Sequence, residues 1–121
     1  MLKHWEGLGY YSRARNLHKA AKAIAANFQN KIPAELSQLR SLPGIGPYTA
    51  AAIAAFAFDQ PVPVLDANIA RVIARLFDCR HDITTAAGRR FLEQAATALL
   101  PASGGLQHTS ALMDLGATIC R

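Results

Sequence analysis

A tight turn between two helical stretches constrains the fold of this chain more than any other feature. It reads Leu-Pro-Gly-Ile-Gly-Pro-Tyr-Thr over residues 42–49. Gly44 and Gly46 can adopt backbone angles closed to other residues, so the chain can reverse sharply with its amides facing outward. A helix is predicted to follow from Tyr48 to Phe58, and the free N–H groups and dipole at a helix N-terminus favour an anion. The turn therefore predicts a contact with a phosphate of the nucleic-acid backbone, with an ordinary helix-turn-helix corner as the alternative.

Apolar residues at helical spacing predict further helices on both sides of this turn. The predicted helices span residues 12–28, 33–39 (starting at Pro33), 48–58, a segment that begins at Asp66, 85–100 and 107–119. The first is expected to bury Leu17, Ala20, Ala21, Ile24, Ala25 and Phe28. The helix after Asp66 is expected to bury Ile69, Val72, Ile73 and Leu76. The chain is rich in alanine, which favours helices over strands, and no segment predicts a strand. The sequence therefore predicts an all-α fold.

Charge and cysteine content narrow the class of protein. The chain has 13 Lys and Arg against 8 Asp and Glu, a formal charge of +5, which suits a polyanionic partner without requiring one. Cys79 and Cys120 provide neither a disulfide framework nor a complete metal-ligand spacing, and Cys79 is expected to be a buried apolar residue. The N-terminus does not read as a signal peptide, and the longest apolar run is too short to cross a bilayer. We expect a soluble cytoplasmic protein with no membrane partner.

A second motif, Val-Leu-Asp-Ala-Asn-Ile-Ala-Arg-Val, follows the turn at residues 64–72. Asp66 is well placed to cap the N-terminus of the next helix, a role that needs no further function. The turn and this motif together resemble the helix-hairpin-helix DNA glycosylase superfamily, in which an aspartate follows the hairpin at this distance. The resemblance implies that the carboxylate of Asp66 stabilises positive charge on the sugar, or attacks it, as the bond from C1′ to the base breaks. It also implies that Asn68 orients Asp66 or the attacking water.

The residue at the start of the second hairpin helix separates reaction types within this superfamily. Members that also cut the DNA backbone carry a lysine there, whereas this chain has Tyr48, so hydrolysis without β-elimination is expected. The string Gly-Leu-Gly-Tyr-Tyr-Ser-Arg-Ala-Arg at residues 7–15 closely resembles adenine glycosylases of the MutY type. That resemblance implies that Tyr10 is a wedge inserted into the base stack beside phosphates bound by Arg13 and Arg15.

The complete set of DNA-binding residues is expected to be Tyr10, Arg13, Arg15, Leu42, Gly44, Gly46 and Thr49. Lys19 and Lys22 are expected to extend a basic face of the first helix. The expected substrate is double-stranded DNA, from which adenine mispaired with 8-oxoguanine or guanine is removed, and the expected location is the nucleoid. An endonuclease III-like pyrimidine glycosylase is the alternative within the same superfamily, and Tyr48 argues against it. Another alternative is a non-catalytic helical module that binds DNA or itself.

The resemblance also predicts that the chain is the central part of a larger enzyme. Residues 1–60 are expected to belong to one helical lobe, with the hairpin at about 34–58, and residues 61–121 to a second. The family's general acid is a glutamate on a helix that would precede Met1, so the chain by itself is expected to be inactive. The family's [4Fe–4S] cluster has four cysteine ligands; Cys120 resembles the first, and none of the cluster is expected here. The apolar helix Ala50–Phe58 is expected to promote self-association, with Ile53 or Phe56 near the contact.

Overall fold

The computed structural model describes residues 1–121 and consists of a short 3-10 helix followed by six α-helices. The 3-10 helix is Leu2–Trp5. The α-helices are α1 (Tyr11–Asn27), α2 (Leu36–Arg40), α3 (Pro47–Phe58), α4 (Ala67–Leu76), α5 (Ala86–Ala98) and α6 (Gly105–Thr118). There is no strand, so the all-α prediction is confirmed. None of the helices has the length and apolar character needed to cross a lipid bilayer.

Most predicted helices lie close to their expected positions, but the start of α2 was predicted wrongly. Pro33 does not begin a helix; the chain stays irregular until Glu35, whose extended backbone forms the N-cap of α2. Pro33 is buried. Its packing in the interior therefore outweighs the preference of proline for the first turn of a helix. The 3-10 helix at Leu2–Trp5 was not predicted at all.

The chain divides into two compact units, residues 1–50 and 51–121, and the boundary falls within α3. The predicted division into lobes at residue 60 stays a prediction. In the first unit the 3-10 helix packs against α1, which buries Ala14 and Ala20. The predicted apolar face of α1 was partly wrong, because Leu17 is 61% exposed and Ala21 and Ala25 are exposed as well.

The packed face of α1 is a row of side chains next to the predicted one. Asn16, Ala20, Ile24 and Phe28 are buried or half-buried and repeat every four residues. Asn16 lies against Gly44 of the turn, so this row is the one that faces the hairpin. Apolar spacing correctly predicted Ala20, Ile24 and Phe28 in this row, whereas it missed Asn16, because Asn16 is polar.

The core of the second unit forms where α4 packs against α5 and α6. Its buried members are Ile69 and Ile73 of α4 with Leu92, Ala95 and Ala96 of α5. Leu76 was predicted to join this core but is 62% exposed at the last residue of α4, beyond the reach of that cluster. Cys79 is half-buried rather than buried, because it lies in the loop after α4, where its thiol donates to the carbonyl of His81.

The ends of α5 and α6 are held by side chains and by close backbone contacts. Thr85 caps α5 by accepting a hydrogen bond from the amide of Gly88. In the loop before it, two hydrogen bonds from Thr84 hold the pKa of Asp82 below its ordinary value. Asp59 binds the N-terminus of α6, where its carboxylate accepts from the amide of Leu106 at 2.9 Å. A Cβ at Gly105 would come within 1.8 Å of the carbonyl oxygen of Gln60, so only glycine fits this approach.

Candidate functional site

The hairpin joins α2 to α3 through the turn predicted from the sequence. The amide of Ile45 donates to the carbonyl of Leu42 at 3.2 Å and closes the turn. Pro47 is the first residue of α3, the helical position where a missing N–H costs least. The bond from the amide of Ala50 to the carbonyl of Gly46 is 2.9 Å long and opens the helix. The amides of Tyr48 and Thr49 lie ahead of that bond in the first helical turn, where backbone N–H groups have no intrahelical partner.

The two glycines of the hairpin have different surroundings. Gly44 has a φ of +77°, and a Cβ there would lie 2.6 Å from Cβ of Asn16. Gly46 has no positive φ, and a Cβ there would meet nothing within 4 Å. Gly44 therefore allows the turn to pack on α1, whereas Gly46 leaves open space beside the first turn of α3.

The predicted DNA-binding residues of the hairpin differ in exposure. Gly44, Gly46 and Tyr48 are exposed, and Thr49 is half-buried. The side chain of Leu42 is only 5% exposed, so it is buried and cannot itself touch a ligand. A role for Leu42 in DNA binding is thereby limited to its backbone and to support of the turn.

Tyr10 stands at the N-terminus of α1 on a loop with unusual backbone angles. Its side chain is 81% exposed, and its φ of 45° and ψ of 54° place a bulky residue in the left-handed region. Gly7 and Gly9 also have positive φ values, of 86° and 65°. Two hydrogen bonds flank Tyr10: its carbonyl accepts from the amide of Arg13, and the carbonyl of Gly9 accepts from the indole N–H of Trp5.

The basic residues of α1 are exposed but do not share one face. At about 100° per residue, Arg15, Lys19 and Lys22 fall within about 60° of one another. Arg13 lies on the other side of the helix, one turn before Asn16, which contacts Gly44. Only Arg13 among these four is therefore on the hairpin side of α1. The expectation of one basic face that includes Arg13 was wrong, because helical geometry separates it from the other three.

Asp66 forms the N-cap of α4. Its Oδ1 accepts a hydrogen bond from the amide of Ile69 at 2.7 Å, as the capping interpretation predicted. Its Oδ2 makes no hydrogen bond within the chain, and the side chain is half-buried. One carboxylate oxygen is thus fixed by the helix while the other remains available to a ligand.

Asn68 is joined to the far end of α6 rather than to Asp66. Its Oδ1 accepts from the guanidinium of Arg71 at 2.9 Å, and Arg71 also donates to the carbonyls of Gly116 at 2.6 Å and Cys120 at 2.8 Å. A Cβ at Gly116 would lie 2.8 Å from Cβ of Asn68, so α6 approaches α4 closely at this point. Arg71 therefore neutralises open carbonyls at the C-terminus of α6 and fixes the side chain of Asn68.

Cys120 lies next to this network. Its Sγ accepts from Arg75 at 3.2 Å, and Arg75 also donates to the carbonyl of Arg121. A four-iron cluster needs four ligands, and no group of three or more His, Cys, Asp or Glu residues in the chain could hold a metal ion. The residues of this chain do not by themselves fit the cluster, and the ligand role of Cys120 stays a prediction.

Comparison with known proteins assigns the family. A profile of HhH-GPD superfamily base excision DNA repair proteins matches residues 1–97. The chain belongs to the HhH-GPD superfamily. An adenine DNA glycosylase of Mycolicibacterium smegmatis is 41% identical over 120 residues, which cover 99% of this chain and 40% of that protein. An adenine DNA glycosylase of Arabidopsis thaliana is 44% identical over 119 residues, covering 96% of this chain and 18% of that protein.

A solved structure agrees with this assignment. The structure of a thermostable thymine-DNA glycosylase aligns with a TM-score of 0.75 and 31% identity, covering 91% of this chain and 50% of that chain. The chain thus spans about two fifths or less of the length of these two adenine glycosylases and half of this structure.

Arg71 and Trp5 make hydrogen bonds to the candidate site residue Asn68 and to the loop before Tyr10, but neither was assigned a role from the sequence. Arg71 lies three residues after Asn68, a spacing that places both on one side of a helix and was visible in the motif. Its backbone partners are Gly116, on α6, and Cys120, just after α6, and no local pattern identifies residues 45 and 49 positions away. The hydrogen bond from Trp5 to Gly9 is local. Its only signal in the sequence is a lone tryptophan before a glycine-rich loop, and that signal does not show to which backbone group the indole N–H donates.

Proposed function

We propose that this chain carries the DNA-binding hairpin and the catalytic aspartate of an adenine glycosylase of base excision repair. The proposed reaction is hydrolysis of the bond between C1′ and adenine where adenine is mispaired with 8-oxoguanine or guanine. The observation that carries the proposal is the capped, half-open carboxylate of Asp66 in a chain that matches adenine glycosylases along nearly its whole length. An enzyme with this reaction works on chromosomal DNA, so we also propose a cytoplasmic, nucleoid-associated location.

The proposed chemistry uses the free side of Asp66. As the bond to the base lengthens, positive charge develops on the sugar, and a fixed carboxylate beside it stabilises that charge. The bond from Oδ1 to Ile69 keeps the carboxylate in place without occupying Oδ2. Tyr48 holds the position where backbone-cutting relatives use a lysine amine, which supports release of the base without strand cleavage.

DNA is proposed to be held through its backbone by the hairpin and through its stacked bases by Tyr10. The first-turn amides beside Gly46 suit a phosphate because they carry both free donors and the positive end of the helix dipole. Tyr10 offers an exposed aromatic ring that can stack in a gap between bases. Phosphate contacts position the duplex and carry no base preference, so recognition of adenine must come from contacts around the extruded base.

The experiment places this chain in the context of a working relative. The matching 120 residues of the Mycolicibacterium smegmatis enzyme are replaced by this sequence, and base release is measured on three duplexes. These contain adenine opposite 8-oxoguanine, adenine opposite guanine, and thymine opposite guanine. We expect release of adenine without strand cleavage. Release of thymine alone would favour the pyrimidine glycosylase alternative, and no release from a folded chimera that binds DNA would favour the non-catalytic module.

A matched pair of variants tests the role of Asp66 in this chimera. Asp66→Asn keeps a good N-cap but removes the charge, so adenine release is expected to fall by about 100-fold or more while stability is retained. Asp114→Asn makes the same chemical change at an exposed position on α6 and should leave the rate unchanged. Equal rates for the two variants would contradict the proposed role of Asp66.

A further inference from the structure

We propose that Trp5 is a positioning residue that holds Tyr10 in the conformation from which it enters the base stack. This proposal rests on the proposed function, which gives Tyr10 its place in DNA. The observation that carries it is the hydrogen bond from Nε1 of Trp5 to the carbonyl of Gly9, 2.9 Å long and partly buried. Gly9 immediately precedes Tyr10, so the bond acts on the peptide group to which Tyr10 is attached.

The conformation of Tyr10 needs an external restraint. An aromatic residue with φ near 45° lies in a region that L-residues other than glycine seldom occupy. The side chain is 81% exposed, so packing of the ring does not hold the backbone in this conformation. Gly7 and Gly9 on the same loop have no side chains that could limit its motion. An unrestrained loop of this composition would sample many conformations, and few of them would point the ring of Tyr10 in one direction.

Trp5 supplies this restraint from the 3-10 helix, which packs against α1. The ring is half-buried and lines an open groove of about 310 Å³ between the 3-10 helix and α1, together with Ala14 and Leu17. The carbonyl of Trp5 accepts from the amide of Leu8 at 3.1 Å, which closes the loop from its other side. The indole N–H therefore reaches the loop from a half-buried side chain.

Peptide geometry transmits the restraint to Tyr10. The carbonyl of Gly9 and the nitrogen of Tyr10 belong to one planar group, so fixing the carbonyl fixes the plane from which the φ of Tyr10 is measured. The carbonyl of Tyr10 is fixed in turn by the amide of Arg13 at 2.9 Å. Both peptide planes that flank Tyr10 are thus held, and the ring is presented in one orientation before DNA arrives. Pre-organisation of this kind lowers the cost of ordering on binding.

The consequence is specific to insertion of the ring. Phosphate contacts by Arg13 and the hairpin do not depend on the orientation of Tyr10. Loss of the indole N–H should therefore reduce unstacking of bases more than it reduces binding of the duplex.

The experiment measures unstacking directly. The 121-residue chain at saturating concentration is added to a duplex that contains 2-aminopurine next to the mispair, and the rise in fluorescence on unstacking is recorded. Trp5→Phe keeps an aromatic ring but removes the donor. The net value of one hydrogen bond corresponds to an expected loss of about two- to tenfold in the ratio of inserted to non-inserted complexes. Duplex affinity should change by less than twofold.

Further variants separate the N–H from the shape of the ring. Benzothienylalanine at position 5 has the shape of tryptophan with sulfur in place of the N–H, and it should reproduce the loss even if Trp5→Phe folds poorly. Ile32→Ala truncates an exposed apolar side chain of the same unit that does not line this groove, and it should retain the full fluorescence rise. A full rise with benzothienylalanine, or a loss with Ile32→Ala equal to that of Trp5→Phe, would overturn the proposal.

Tyr10→Ala distinguishes failure of this proposal from failure of the proposed function. It should abolish the rise while the chain stays folded. If Tyr10→Ala abolishes the rise and Trp5→Phe leaves it intact, Trp5 has no positioning role and the proposed function stands. If Tyr10→Ala keeps the full rise, Tyr10 does not enter the base stack and both the wedge and its positioning are wrong.

Discussion

Individual residues in this chain act mainly by shaping the local backbone. Gly44 allows the turn to approach Asn16, Asp66 caps α4, and Arg71 binds carbonyls at the C-terminal end of α6. In each case the residue serves local geometry first, and the proposed chemistry uses the surface that this geometry leaves open. The free oxygen of Asp66 is the clearest example, because the cap determines which oxygen is available.

The two hairpin glycines provide a residue-scale prediction. Gly44→Ala should lower the free energy of unfolding by about 2 kcal/mol, because it adds a Cβ 2.6 Å from Asn16 and forces alanine to a φ of +77°. Gly46→Ala makes the same change where space is open and φ is not positive, so its effect should stay within about 0.5 kcal/mol. Urea denaturation of both variants provides the measurement. Equal losses would show that Asn16 does not limit position 44.

At the scale of helices, the chain depends on contacts between elements distant in sequence. Residues 59–61 meet the N-terminus of α6 through Asp59 and the close approach at Gly105, and α4 meets its C-terminus through Arg71. Both ends of α6 are therefore held by other segments of the second unit. The intrinsic helix propensity of α6 contributes less to its stability than these contacts do.

Substitution of two arginines of α4 tests whether contacts from α4 stabilise the C-terminal end of α6. Arg71→Met keeps the aliphatic stem but removes three hydrogen bonds from a charged donor, and it should cost about 2–3 kcal/mol. Arg75→Met removes exposed contacts to Cys120 and Arg121 and should cost less than about 0.5 kcal/mol. Hydrogen exchange at the amides of Ile119 and Cys120 should accelerate in the first variant and not in the second. Identical exchange in the two variants would refute the capping role of Arg71.

At the scale of the whole molecule, the surface is basic and carries exposed apolar side chains. The formal charge is +5, and α3 buries its alanine face while Phe56 and Phe58 each remain 37% exposed. These two properties predict two kinds of association, one with a polyanion and one between copies of the chain.

Association with DNA should weaken as salt rises, because it releases counterions from phosphates. We expect Arg13→Ala to reduce affinity and to lower the slope of log affinity against log salt by about 1. Lys22→Ala lies on the opposite side of α1 and should leave that slope nearly unchanged. Fluorescence anisotropy of a labelled duplex across a salt series provides the measurement. Binding that does not respond to salt would exclude the proposed phosphate contacts.

Association between copies should depend on α3. We propose that the chain self-associates with increasing concentration and that Phe56→Lys shifts it toward monomer, since a charge on an apolar contact is costly to bury. Leu76→Lys introduces the same charge at a more exposed apolar residue of α4 and should have no effect. Sedimentation velocity over a concentration series separates the two outcomes. A monomer at every concentration would refute self-association.

The sequence by itself determined the features that depend on neighbouring residues. Alternating proline and glycine predicted the hairpin, apolar spacing predicted most of the helices, and the position of Asp66 predicted its cap, because each follows from local backbone preference. Apolar spacing wrongly predicted that Leu17 and Leu76 are buried. Which side of a helix is buried depends on the element that packs against it, and spacing within the helix does not identify that element.

Tertiary structure alone decided that Asn16 faces Gly44, that Arg71 joins Asn68 to α6, and that Asp59 caps a helix 47 residues away. These contacts form between segments distant along the chain, and a linear pattern does not specify which distant groups will meet.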